Sequence, residues 1–224
     1  MSDKSATSLQ FLFETLSVLL KSGSLQLWAD LLRILSTILP DRGAIGSYEV
    51  TEHESQLELR GKSGRNAIYT KRQVVKFLQD NVIGYQDDAW GDGEIFAEYQ
   101  CTPGVAVDRY VEGNRHHVLI SLRKIMNRGD VQEFHIQRRI RGGFTKITDD
   151  LQVEVNHNTK NLSMTVLFPE SRWPKQCWLI EQKARRSKKL DQNHFSYLPD
   201  KRLMVTWNTD RPRLFEMYIL RWEW

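Results

Sequence analysis

The chain has 224 residues, 40% hydrophobic and 27% charged, with a formal net charge of +4 and a pI near 9.0. That is the composition of an ordinary soluble globular protein, with enough chain for one larger domain or two small ones around a sizeable core. The modest charge permits contact with phosphates or anionic lipid but falls short of the concentrated basic surface of a compact nucleic-acid binder.

Residues 1–7 are polar and carry no basic n-region, so no signal peptide is expected. The two cysteines, Cys101 and Cys177, lie in no CxxC pair or ligand cluster. They read as reduced thiols of a cytoplasmic protein, without a structural zinc site.

Thr7 and Gln10 have capping-box spacing, and Leu9, Leu12, Phe13, Leu16, Leu19 and Leu20 follow at helical intervals. Gly23 suits a left-handed stop and Ser24 a new cap. A second helix then presents Leu25, Trp28, Leu31, Leu32, Leu35 and Ile38 on one broad apolar face, and Pro40 ends it. The pattern predicts an N-terminal α-helical hairpin over residues 1–43, ahead of a second domain over 44–224. The hairpin is more apolar than two helices can bury alone, so it needs a further surface. The candidates are its own β domain, a second copy in a helical bundle, or a membrane. Each apolar run is shorter than the ~20 residues of a span, and Glu14, Asp30 and Arg33 interrupt them.

From Ser47 the period changes to two. Tyr48 and Val50, then Leu57 and Leu59, then Ala67 and Tyr69 after the turn at Gly61–Gly64, read as a hairpin. Gly61-Lys62-Ser63 lacks the upstream glycine and the following helix of a phosphate loop. Residues 70–80 carry both helical and strand signals, and their β surroundings favour a strand. Asp87–Glu94 reads as an acidic, glycine-punctuated turn with Trp90 folded onto the core. Its carboxylates do not have EF-hand spacing. Strands are expected over Val105–Tyr110, Val118–Leu122 and Val131–Ile140. Leu151/Val153/Val155 and Leu162/Met164/Val166/Phe168 read as a further hairpin, and Trp178 and Ile180 lie in the strand after it. Arg202–Trp224 reads as a closing hairpin whose last strand puts Tyr218, Leu220, Trp222 and Trp224 on one face. Roughly ten or eleven short strands without intervening helices predict a mainly β domain, an antiparallel β-sandwich or Greek-key-like barrel.

No motif specifies a reaction. Of the six histidines, none forms HxH, HxxxH or HExxH, and adjacent His116 and His117 should point to opposite faces. No GxSxG elbow is present, Cys177 suits packing, and nothing near Cys101 in sequence would activate it. No cofactor or metal is indicated. The strongest charge feature is Lys183, Arg185, Arg186, Lys188 and Lys189, five cations in seven residues, with Arg138, Arg139 and Arg141 as possible additions. No aromatics for base stacking are interleaved with them. The reading leans away from an enzyme. It favours a non-enzymatic protein-interaction module, a rigid β platform coupled to a partner or to its own copies by the hairpin, as in an adaptor or sensor of a bacterial signalling or defence assembly. The alternatives are polyanion or nucleic-acid binding through residues 183–189, an enzyme with a site assembled from distant residues around His116, His117 or Cys101, and membrane association through the hairpin.

Overall fold

A computed structural model describes residues 46–224. The expected helical hairpin, its association face and the boundary at residue 43 lie outside the described residues. The described residues are mainly β, in three sheets whose strands are numbered here in chain order. The largest sheet holds β1 (Tyr48–Arg60), β2 (Asn66–Phe77), β4 (Glu94–Thr102), β7 (Val131–Arg141), β9 (Thr159–Phe168), β12 (Phe195–Tyr197) and β13 (Leu203–Asp210). Its order is β12-β13-β9-β1-β2-β7-β4. A three-stranded sheet is built from β3 (Val82–Ala89), β5 (Val105–Glu112) and β6 (Arg115–Met126), with β6 in the middle. A four-stranded sheet is built from β8 (Thr148–Glu154), β10 (Gln176–Glu181), β11 (Arg186–Lys189) and β14 (Met217–Glu223), in the order β11-β10-β14-β8. Pairing is antiparallel except between β1 and β9, which run parallel.

Alternation sets the inner face of the large sheet. On β2 the buried residues are Ala67, Tyr69, Lys71, Gln73, Val75 and Phe77, every second position. On β7 they are Phe134, Ile136, Arg138 and Ile140. In β1 the buried parity switches, from Tyr48 and Val50 to His53, Ser55, Leu57 and Leu59. A bulge between Val50 and Glu52 absorbs the extra residue and keeps both halves facing inward.

This inner face carries two cores. One packs Leu57, Ile140, Leu162, Val166 and Phe168 against Leu151, Val153, Leu220 and Trp222 of the four-stranded sheet. The other packs Val50, Val75, Phe77 and Phe134 against Tyr85, Val118, Ile120 and Leu122 of the three-stranded sheet. Phe96 touches both. The two small sheets thus share one large sheet as their floor, and the seam between them falls over the middle of β1, β2 and β7.

Three sequence expectations are corrected. Residues 202–224 are not a hairpin: β13 pairs with β9 and β12, whereas β14 pairs with β8 and β10. In the same way β8 belongs to the four-stranded sheet and β9 to the large one. In both cases the chain crosses between layers, because apolar faces on successive strands pack face to face as readily as edge to edge. Buried Glu216 fixes the second crossing by accepting from Lys183 N at 2.7 Å, Ala184 N at 3.0 Å and Met217 N at 3.0 Å. Asp87 and Asp88 belong to β3 rather than to a solvated turn. The turn that follows needs Gly93: its φ is +82°, and a Cβ there would stand 2.6 Å from the Arg141 carbonyl oxygen.

The last strand supplies the largest core side chain. Trp222 is fully buried and packs edge-on to Phe168 at 5.4 Å and Trp224 at 5.9 Å. Trp222→Ala is expected to lower stability by about 3–5 kcal/mol in urea unfolding. Trp222→Phe should cost less, since it also removes an indole N–H that has no partner. Equal losses for the two variants would count against this account.

Candidate functional site

The middle of the large sheet's inner face is polar where an ordinary core would be apolar. Lys71 and Gln73 of β2, His53 and Ser55 of β1, Arg138 of β7 and Thr159 of β9 are all buried there. Asp87, with no exposed surface, reaches down from β3 to Lys71, Nζ to Oδ1 at 2.5 Å. Tyr99 donates to its other oxygen at 3.2 Å. Burial works against both charges, but each holds the other ionised. Asp87 carries the Lys71 ammonium above its usual range, and Lys71, helped by Arg138, holds the Asp87 carboxyl below its own.

A chain of hydrogen bonds runs beside this pair. Tyr85 donates to Gln73 Oε1, leaving Gln73 Nε2 to donate to His53 Nδ1 at 3.0 Å. The imidazole proton is therefore on Nε2, which donates to Ser55 Oγ at 3.1 Å, and the Ser55 and Tyr69 hydroxyls share a hydrogen bond at 3.0 Å. His53 so oriented cannot take the Ser55 proton, so the two are not a nucleophile and its base. Burial, with the Lys71 charge adding to it, drops His53 from 6.5 to about 3. Burial also pushes Tyr85 up to about 12. Both stay neutral.

Over this belt lies a cavity of about 470 Å³, lined from both cores by residues that include Tyr48, Leu57, Tyr69, Ile140, Leu151 and Val153. Its size is that of a small-molecule site. Lys71 and Arg138 reach it from the large sheet, and Asp149 reaches it from β8. Arg138 is 7% exposed. Its guanidinium lies 4.2 Å from the Tyr69 ring centre and 5.7 Å from that of Phe96. Among the described residues it makes no ion pair, and its buried Nε has no hydrogen-bond partner. At the mouth, two contacts bridge the small sheets. Trp90 Nε1 donates to Gln152 at 2.9 Å, and Arg115 pairs with Glu154 at 2.5 Å while stacking 4.7 Å over the Trp90 ring. His157 stacks on Tyr48 at 4.1 Å beside the cavity, and burial lowers it to about 4.

The residues singled out by sequence do not converge. Lys183 and Arg185 sit in the turn between β10 and β11, and Arg186, Lys188 and Lys189 lie on β11, an edge strand exposed throughout. Arg186 and Lys188 share one face of it and Lys189 takes the other, and Arg186 is tied to Glu181 at 2.8 Å. Charge on such an edge blocks pairing with other strands. Arg138 faces inward, away from its exposed neighbours Arg139 and Arg141. His116 and His117 point to opposite faces of β6, as consecutive strand residues must. His117 Nδ1 lies 2.7 Å from Asp88, and the His116 ring lies 5.3 Å from that of Phe96. Cys101 and Cys177 are free thiols whose acidity burial reduces, Cys177 up to about 12. No group of three metal-binding side chains converges among the described residues, and no helix among them is long and apolar enough to cross a membrane.

Sequence reasoning missed Lys71, Asp87 and His53, and grouped Arg138 with its exposed neighbours Arg139 and Arg141 as part of a basic patch. A signal was present for Lys71 and Gln73, which share the parity of Ala67, Tyr69, Val75 and Phe77. Arg138 likewise stands between Ile136 and Ile140.

No family model and no curated protein matches the chain. Among solved structures, a protein of Parabacteroides distasonis ATCC 8503, provisionally assigned as a protease, is 10% identical. The match covers 80% of this chain and 40% of that one, with a TM-score of 0.48. The M1 zinc metallopeptidase from Deinococcus radiodurans is 8% identical over 79% of this chain and 42% of its own, with a TM-score of 0.46. The chain therefore spans well under half the length of these structures. Likeness of this degree does not bear on what the chain does.

Two outcomes follow from the belt. Lys71→Met leaves Asp87 buried and unpaired and should cost about 3–5 kcal/mol, while Lys71→Met with Asp87→Leu should recover most of that loss in the same unfolding assay. Acid should also destabilise the protein before its carboxylates titrate. The unfolded chain protonates His53 near 6.5 and the folded chain only near 3, so this stability is complete above 6.5 and is lost as pH falls through that window. The slope reaches about 1.4 kcal/mol per pH unit for one such group, and His157 adds to it. Asp149, which burial pushes up, acts in the opposite sense, so the comparison with His53→Gln isolates the histidine. Urea unfolding at pH 7 and pH 5 should show a smaller pH effect in that variant; an equal effect would exclude His53 as the cause.

Proposed function

We propose that the β domain is a non-enzymatic recognition module that holds a small anionic ligand in the seam cavity, against Arg138. The platform is best viewed as two β-sandwiches sharing one large sheet, with the ligand at their junction. One observation carries the reading: a buried guanidinium without an ion-pair partner among the described residues, facing an open cavity. Burying an ion costs several kcal/mol. Stacking on an aromatic ring returns about 0.5–2 kcal/mol. Asp87 is close enough to be influenced by Arg138 but is already engaged by Lys71. A planar, always-charged fork with free donors is the usual partner of a carboxylate or phosphate oxygen. The role is compatible with an adaptor or sensor, with the ligand as the signal sensed.

Formate is small enough to reach Arg138 whatever the shape of the natural ligand. Replacing chloride by formate at constant ionic strength should raise the Tm of the full chain. A concentration ten times Kd adds about 1.4 kcal/mol, or about 3–6 °C for a domain of this size. Arg138→Met should abolish that response. An unchanged formate response in Arg138→Met would refute the proposal.

A further inference from the structure

Taking the anion reading as its premise, the charge pattern of the same cavity defines the ligand further. Most of the charged side chains that face it are already matched. Lys71 is closed by Asp87. Asp92 is held by Lys146 at 2.5 Å, Asp150 by Arg221 at 3.0 Å and Glu154 by Arg115 at 2.5 Å. Asp88 lies 2.7 Å from His117 Nδ1 and also accepts from Gln86. Two groups remain, and they are of opposite sign. Arg138 is one. The other is Asp149, 9% exposed, which makes no ion pair among the described residues and whose single hydrogen bond comes from Trp224 Nε1 at 3.0 Å. Burial pushes the Asp149 carboxyl up, against the Trp224 hydrogen bond and the more distant charges of Lys146 and Arg172, neither of which pairs with it.

The two lie on facing layers. Arg138 points in from β7 of the large sheet between Ile136 and Ile140, and Asp149 points in from β8 of the four-stranded sheet, in line with Leu151 and Val153. They make no contact within 4.0 Å, although both line the one cavity. The wall beside them is apolar: Leu57, Ile140, Leu151 and Val153. A purely anionic ligand would satisfy Arg138 but would bring negative charge towards Asp149 in a poorly screened interior. A dianion would meet Asp88 as well. A ligand with one charge of each sign answers both groups at once and leaves the cavity neutral.

We infer that the ligand is a dipolar amino carboxylate, its carboxylate on Arg138, its ammonium on Asp149 and its carbon body along the apolar wall between them. Both α-amino acids and longer ω-amino acids carry this chemistry, and they differ in how far apart the charges stand.

Calorimetric titration of the full chain decides the matter with four probes. L-Phenylalanine and 6-aminohexanoate carry both charges at short and long separation. 3-Phenylpropanoate and hexanoate are the matched carboxylates without the ammonium. At least one amino carboxylate should bind tenfold or more tighter than its match, and which of the two does so sets the charge separation. Asp149→Asn, which keeps an acceptor for Trp224, should erase that preference by weakening the amino carboxylates, while the plain carboxylates bind at least as tightly as before. Arg138→Lys, which keeps the charge but loses the fork, should weaken all four. Plain carboxylates binding as tightly as their amino counterparts, or a preference that survives Asp149→Asn, overturns the inference while the anion reading stands. If formate and all four probes leave the protein unaffected, the anion reading fails and the inference fails with it.

Discussion

The Lys71–Asp87 ion pair is the constraint on which the rest of the domain turns. It joins β2 of the large sheet to β3 of the three-stranded sheet, with both side chains nearly or wholly removed from solvent. A pair in that position costs more in desolvation than a pair of leucines would, and it holds only while both partners are present. Its surroundings are arranged for that. Tyr99 donates to Asp87, Arg138 adds positive charge nearby, and Tyr85 and His53 remain neutral. One consequence is architectural. Neither apolar core can run on through the belt, so the large sheet carries two separate cores and the small sheets meet over a seam. The cavity is the space that this interruption leaves.

The strands were legible in the sequence and their partners were not. Alternation reports which residues face inward, but it is silent on whether the next strand lies beside the first or opposite it. Leu151/Val153/Val155 and Leu162/Met164/Val166 therefore read as a hairpin, although β8 and β9 lie in different sheets. Residues 202–224 misled in the same way. The parallel β1–β9 pairing was out of reach, because it joins segments about a hundred residues apart with no local signal. Parity held more information than was drawn from it. Tyr48 and Val50 are even, Leu57 and Leu59 odd, and one continuous strand can bury all four only with a bulge between them. That bulge is what turns His53 inward.

The site was hidden for a different reason. Clusters of charge draw attention, and charge on a surface is usually solvated. The run from Lys183 to Lys189 is conspicuous and lies on an exposed edge. Lys71, Asp87 and Arg138 are single charges, each among unremarkable neighbours. Asp87 was masked by Asp88 and the glycines after it, and Arg138 by Arg139 and Arg141. What distinguishes Lys71 and Arg138 is strand parity: Arg138 stands between Ile136 and Ile140, and Lys71 shares the parity of Ala67, Tyr69, Val75 and Phe77. That criterion is local and needs no structure. Asp87 satisfies it too, between Tyr85 and Ala89, but the glycines that follow made the segment read as a turn.

The placement of the unmatched charges links ligand and fold. Lys71 and Asp87 join the large sheet to the three-stranded sheet, whereas Arg138 and Asp149 line the cavity from the large sheet and the four-stranded sheet without pairing. The small sheets are tied to one another at the mouth of the cavity by Arg115–Glu154 and Trp90–Gln152. Among the described residues, Arg138 and Asp149 form no such tie between β7 and β8. On the reading proposed here, the ligand supplies it. Its binding energy would then be cohesion between two layers rather than decoration of one, and whatever loosens β8 from the large sheet would weaken binding by the same free energy. A recognition module needs such a coupling if occupancy is to be felt elsewhere in the molecule, and a site built within a single sheet would lack it.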